Sequence, residues 1–163
     1  MTININYFMS EAIKLAELAY KNDEVPVGAV IVYDEKIIGR GFNKVIADHS
    51  VVSHAEINAI KEASCYVQNY RLKNCKIFVT LEPCHMCAKA IVDARIETLY
   101  FGASELKTGA IHSIDNFLDR SDLNHQVRYF SGFMQAESSA LLANFFQERR
   151  LSKKFKKLNF QTD

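Results

Sequence analysis

Metal-type ligands fall in two short stretches well separated along the chain, and the fold must bring both to one point if they share a metal. His54-Ala55-Glu56 supplies a ring nitrogen and a carboxylate. Pro83-Cys84-His85-Met86-Cys87 supplies two sulfurs. Three ligands drawn from His and Cys suit zinc and leave a tetrahedral position open for water, which separates a catalytic site from a structural one. Glu56, two residues from the ligand His54, then stands as a proton carrier beside that water.

The spacing sets geometric expectations. Cys84 and Cys87 in the first turn of a helix share one face, so both sulfurs reach one metal. Pro83 is placed to open that helix, where no N–H is needed. The electropositive helix N-terminus favours thiolate over thiol. His85 lies about 100° round the helix from Cys84, off the metal-facing side, so it reads as a pocket-wall or surface residue. His54 and Glu56 would diverge by about 200° inside a helix, which puts His54 at the very start of one. A structural zinc knuckle would want a fourth Cys or His nearby. Cys65 and Cys75 are the other cysteines, and neither has motif spacing to the pair.

The chain of 163 residues is long enough for one domain, 1–163, with a real core. Its formal net charge of +1 says nothing about nucleic acid, which must be judged from how charge is distributed. No apolar run approaches the ~20 residues of a membrane span. Residues 1–6 show no export signal, so Cys65 and Cys75 are expected as free thiols in a cytoplasmic protein.

Phe8, Met9, Ala12, Ile13, Ala16, Ala19 and Tyr20 predict an amphipathic helix over residues 7–22. Residues 27–33 are nearly all apolar and read as a strand buried on both faces. Residues 37–43 return as its antiparallel partner, with Gly39 and Gly41 weakening the pattern. Asn43 at its end reads locally as a turn former. A helix over 54–66, with Ser53 as its cap, is followed by a strand over 76–81, a helix over 84–94 and a strand over 98–102. The connection 103–124 is long and contains at most a short helix near 114–118, and connections of that length are often functional. A strand over 127–131 and a helix over 134–156 complete the chain. In the tail of that helix Arg149, Arg150, Lys153, Lys154, Lys156 and Lys157 crowd together, and a solvated helix end is the plain reading of such a run. The order implies an α/β fold in three layers, α/β/α, with one mixed five-stranded sheet and helices on both faces. The third and fourth strands, joined through a helix, should be parallel.

The H-x-E and P-C-x-x-C pair is the signature of the zinc nucleobase deaminases. Nearly the whole chain resembles the bacterial tRNA-specific adenosine deaminases, through Glu24-Val25-Pro26-Val27-Gly28-Ala29-Val30, Gln68-Asn69-Tyr70-Arg71-Leu72, Lys107-Thr108-Gly109, Asn124-His125 and Phe145-Phe146 as well as the zinc stretches. The resemblance implies the cytidine-deaminase-like fold and conversion of adenosine to inosine at the anticodon wobble position. It implies one zinc per subunit on His54, Cys84 and Cys87, with Glu56 catalytic. Asn43 would hydrogen-bond the flipped base, and Val27 and Ala55 would line its pocket. Lys107, Asn124 and His125 would meet the tRNA anticodon loop, with Phe145, Arg149 and Arg150 near it. The family forms homodimers whose sites borrow surface from the partner subunit. That shifts the cationic tail from a solvated face toward RNA contact. This chain departs from the family pattern at His85, where an apolar residue is usual, at Ser50-Val51-Val52-Ser53, which lacks the usual Pro, and at Glu105, where Asp is common.

The signature alone does not choose the substrate. A deaminase of cytosine, guanine or a free nucleoside or nucleotide shares it. A non-catalytic RNA-binding protein with a structural zinc is the reading from a different class, and it leaves Glu56 without a task.

Overall fold

The computed structural model describes residues 3–159; residues 1–2 and 160–163, the ends of the expected 1–163 domain, lie outside it. Helix α1, Ile5–Lys21, is capped by Asn4, whose side-chain oxygen accepts from Tyr7 N at 3.0 Å. Strands β1, Gly28–Tyr33, and β2, Lys36–Phe42, form the expected hairpin, with a bulge between Ile31 and Val32. Helix α2, Ala55–Val67, strand β3, Lys76–Leu81, helix α3, His85–Asp93, and strand β4, Thr98–Ala103, follow. The connection 104–127 holds only a 3-10 turn at Phe117–Asp119. Strand β5, Arg128–Phe130, and helix α4, Gln135–Asn159, close the chain.

The sheet order is β2-β1-β3-β4-β5. β1 pairs antiparallel with both β2 and β3, whereas β3, β4 and β5 run parallel. The sheet is therefore mixed, because a hairpin joins β1 to β2 while a helical crossover joins β3 to β4. Alternation along the strands builds two cores. Ala29, Ile31, Ile77, Val79, Leu99 and Phe101 face α2 and α3. Val30, Val32, Phe78 and Tyr100 face α1, with Phe78 and Tyr100 stacked at 4.7 Å between ring centroids.

One close approach decides where the site forms. A Cβ on Gly41 would lie 2.1 Å from Ala55 O and 2.4 Å from Ala59 N. Only a residue without a side chain lets the first turn of α2 lie so tightly on β2. Gly41 thus weakens the strand pattern for a packing reason, and it seats the start of α2 against the sheet. α2 and α3 lie on the same face, so the helix starts that carry His54 and Cys84 are neighbours.

Candidate active site

His54 is the N-cap of α2, with an extended backbone at φ −78°, ψ 156°. That is why two residues only two apart can face one point: His54 is not yet helical when Glu56 already is. Cys84 is likewise the N-cap of α3, at φ −75°, ψ 173°, and Cys87 lies in the first turn. Two expectations need correction here. Cys84 stands just outside the helix, and Pro83 precedes the cap instead of opening the helix. The reason is the isolated bridge from Cys84 to Gly109, which keeps the backbone extended through Cys84. Convergence of the sulfurs survives, because an N-cap side chain naturally reaches back over the first turn. Ser53 does not cap α2 either; its hydroxyl donates to Asp48 Oδ2 at 2.5 Å.

His54 Nδ1 lies 3.8 Å from Cys84 Sγ and 3.5 Å from Cys87 Sγ, and the three ligand atoms fall within 4.8 Å of one another. Ligands bonded to one zinc at about 2.3 Å for sulfur and about 2.0 Å for nitrogen, at tetrahedral angles, stand about 3.5–3.8 Å apart. The donor set and its spacing fit zinc. Cys65 and Cys75 are free thiols outside the cluster. A hydrogen bond from Cys87 brings the Cys84 thiol down to about 4, against burial, with His54 helping. Cys87 is raised, first by Cys84 and then by burial. The contact with Cys84 raises His54, although burial opposes it.

Glu56 is 4% exposed. Burial raises its pKa above the ordinary carboxylate value, and the neighbouring Cys84 charge adds to this. A carboxylate whose pKa is raised holds a proton more readily than an ordinary one, which suits a group that must take and give protons. Glu56 lines a cavity of about 300 Å³ together with His54, Cys84, Val27 and Asn43. Ile46, Glu105 and Thr108 also line it.

Asn43 is more than a turn former. Its Oδ1 accepts from Ala55 N, the first N–H of α2, at 2.9 Å, and its own N–H donates to Val27 O at 3.2 Å. This fixes the amide with its nitrogen left to donate at the cavity wall. Ala55, expected in the pocket wall, is fully buried and does not line the cavity; its N–H orients Asn43 instead.

The remaining candidates do not all gather there. Lys107 is exposed and does not line the cavity, though its neighbour Thr108 does; its N–H bonds Glu105 Oε1 at 2.9 Å. Asn124 accepts from Arg95 Nη1 at 2.7 Å, and His125 Nε2 bonds Ile96 O at 2.7 Å. Both are therefore tied to the turn that enters β4, whereas the cavity lies beyond the exit of β3. Within one chain they sit at the opposite end of the parallel strands from the cavity. Phe145 is buried against Tyr20, with ring centroids 5.6 Å apart. Arg149 lies over the Phe145 ring at 5.0 Å and donates to Asp23 O at 2.6 Å. Arg150 is exposed, as are Lys153, Lys154, Lys156 and Lys157. His85 lies on the surface and pairs with Asp115 Oδ2 at 3.0 Å, away from the ligand cluster.

Two buried carboxylates escaped the sequence reading. Glu24 Oε1 accepts from Ile46 N and Ala47 N at 2.9 and 2.8 Å, holding the 44–53 loop over the cavity. Glu82 does the same for the loop after β4. Burial pushes the Glu82 pKa up, but bonds from the His112 N–H and from Ser113 outweigh it and hold it below the usual value. Their partners are backbone N–H groups, which leave no mark in the sequence. An acidic residue close to a proline, next to motif residues, is the only trace.

Residues 2–103 match the cytidine and deoxycytidylate deaminase zinc-binding region. Over 150 residues the chain is 47% identical to a tRNA-specific adenosine deaminase of Haemophilus influenzae, covering 91% of this chain and 87% of that one. It is 40% identical over 152 residues to a tRNA-specific adenosine deaminase of Bacillus subtilis, covering 93% and 94% of the two chains. The chain belongs to the tRNA-specific adenosine deaminase family. A solved structure from work on A-to-I editing by tRNA:A34 deaminases at the wobble position superposes with a TM-score of 0.81 at 40% identity, over 83% of this chain and 99% of that one. The fold is wider than the family: a guanine deaminase from Nitrosomonas europaea shares it with a TM-score of 0.76 at 19% identity, over 89% of this chain and 86% of that one. The deaminase is thus an enzyme with a zinc-binding site, and His54, Cys84 and Cys87 form its candidate ligand group.

Proposed function

We propose that the protein hydrolyses adenosine to inosine at the wobble position of a tRNA anticodon, releasing ammonia. The observation that carries this is the buried Glu56 beside the His54, Cys84 and Cys87 cluster, in a cavity whose lining includes Thr108 of the family-like stretch Lys107-Thr108-Gly109. Zinc, when held by His54 Nδ1, Cys84 Sγ and Cys87 Sγ, supplies Lewis acidity that makes water a nucleophile near neutral pH. Glu56 takes the proton that water loses on attacking C6 and delivers it to the ring nitrogen; it then takes the proton of the new C6 hydroxyl and gives it to the amine, so that C=O forms, the C6–N bond breaks and ammonia leaves. Asn43 Nδ2, held by its bond to the Ala55 N–H, donates to an acceptor on the base edge, and Val27 packs against the ring. These walls exclude bulk water from Glu56, which keeps its proton available to the base.

Recognition of RNA rests on the surface. A second copy of the chain would bring Asn124 and His125, remote within one protomer, to a site they cannot reach in their own, and a homodimer is therefore part of this proposal. The exposed cations of α4 supply phosphate contacts, and the enzyme works in the cytoplasm, where its tRNA is. Among the described residues no helix is long and apolar enough to cross a membrane. Removing residues 153–163 is expected to weaken tRNA binding and to flatten its salt dependence, by a log–log slope of ~0.7 for each single-strand phosphate no longer neutralised. Binding titrations over a salt series measure this, and an unchanged slope would return the tail to a solvated helix end.

The zinc chemistry needs only a ring with an exocyclic amine, so the substrate is tested by competition. An anticodon stem-loop with wobble adenosine is expected to turn over faster than the same loop with cytidine there, and faster than free adenosine or cytidine. Phosphate and loop contacts give the stem-loop binding energy that a nucleoside lacks. Inosine and uridine formation read the outcome. Preference for cytidine or for a free nucleoside would leave the deaminase chemistry standing and remove the tRNA assignment.

A further inference from the structure

We propose that Glu82 is a positioning residue of the deaminase, whose carboxylate seats the 105–113 loop and thereby places Glu105 and Thr108 in the cavity wall, with the exposed Lys107 between them. This rests on the tRNA reading above and adds the residue that sets the rim. Glu82 is 2% exposed. Its Oε1 accepts three successive backbone N–H groups, from Ile111 at 3.0 Å, His112 at 2.9 Å and Ser113 at 3.0 Å. Successive N–H groups converging on one oxygen form a built anion site. Oε2 accepts from Glu105 N at 3.0 Å and from the Ser113 hydroxyl. One side chain therefore holds both ends of the loop.

The fit is tight. A Cβ on Gly109 would lie 2.4 Å from the Glu82 carboxyl carbon and 2.5 Å from Glu105 O, so the loop folds round the carboxylate with no space to spare. Ala110 N bonds Pro83 O at 2.9 Å, and Cys84 pairs with Gly109. The backbone that presents the Cys84 sulfur is thus the backbone on which the loop is sewn. Within the loop, Gly109 N bonds Glu105 O at 2.9 Å and Lys107 N bonds Glu105 Oε1 at 2.9 Å, closing a small turn. That turn hangs from Glu82 through the Glu105 N–H. Lys107 itself is exposed, so the Glu105 anchor determines where its ammonium stands relative to the cavity. A scaffold residue with no part in recognition would have no reason to favour binding over turnover. A residue that sets the rim acts on the bound flanking nucleotides, and so on KM.

Glu82→Gln keeps the shape but replaces one acceptor by an NH2 group, which then faces N–H donors. Amide exchange at residues 105 and 111–113 is expected to rise by about tenfold or more, the effect of losing a hydrogen bond to a charged group, while β3 amides stay protected. Zinc content is expected to match the wild type. KM for the wobble-adenosine stem-loop is expected to rise by about tenfold, with kcat changing much less. Ser113→Ala removes one hydrogen bond to Oε2 and is expected to move the exchange and KM in the same direction by less, and it carries both readouts should Glu82→Gln fail to fold. Unchanged exchange in the loop, or a fall in kcat with KM unmoved, would overturn the proposal. A wild-type enzyme inactive on the stem-loop would instead overturn the substrate reading, and the exchange measurement, which needs no substrate, would still decide whether Glu82 seats the loop.

Discussion

Glu56→Ala is expected to keep its zinc and its fold and to lose deamination of the stem-loop by roughly 10²–10⁴-fold or more, since general acid–base catalysis has that value for one step and Glu56 serves several. The surroundings of the carboxylate are the reason. Glu56 is buried in the first turn of α2, its pKa raised by that burial, and it shares a cavity with all but one of the candidate ligands, Cys87 being buried just behind. It stands outside the three-residue ligand group, so its removal leaves the metal donors intact. Single-turnover assays with metal analysis of the same preparation separate the two effects. A Glu56→Ala enzyme with near wild-type turnover would remove the proton-carrier role, and loss of zinc would make the residue structural.

The second large effect concerns the metal. His54→Ala, Cys84→Ala and Cys87→Ala are each expected to lose bound zinc and to bring activity below detection, whereas Cys65→Ser and Cys75→Ser keep one zinc per chain. Each ligand-deficient site would retain only two donors, too few for a three-ligand catalytic zinc. Because metal binding is linked to folding, the ligand variants should also melt lower than the wild type, and a chelator should lower the wild type toward them. Cys75 is buried in the core with its thiol pushed up to about 11 by burial, so it stays protonated and offers no ligand. Metal loss in Cys65→Ser or Cys75→Ser would mean that the ligands are misassigned.

Glu82 and Glu24 show why so little of the rim was visible in the sequence. Each is a single carboxylate, and each gathers N–H groups from a loop more than twenty residues away. Any residue other than proline offers such an N–H, so nothing in the loop sequences names the partner. The connection 103–124 accordingly read as long and mixed, although it folds back on Pro83, Cys84 and Glu82. Asn43 met the same obstacle. Its partner is the Ala55 N–H at the start of α2, and the local rule for an asparagine at a strand end gave only a turn.

The sequence by itself determined the elements and the chemistry. Runs such as 27–33 and 76–81 are strands because an apolar stretch of that length is buried on both faces, and the periodic stripe of residues 8–20 is a helix because its apolar side repeats every turn. The ligand types in His54, Cys84 and Cys87, with Glu56 beside them, carry their metal preference in their side-chain atoms, which no fold changes. Tertiary structure decided everything that depends on distance between remote backbones. It made Cys84 a cap outside its helix, because pairing with Gly109 holds that backbone extended. It carried Asn124 and His125 to the entry of β4 and away from the cavity of their own chain, through bonds to Arg95 and Ile96. It set the cavity mouth by two buried carboxylates whose partners are main-chain groups. Side-chain identity is written residue by residue, but a hydrogen bond to a remote N–H exists only once the chain has folded to bring it near.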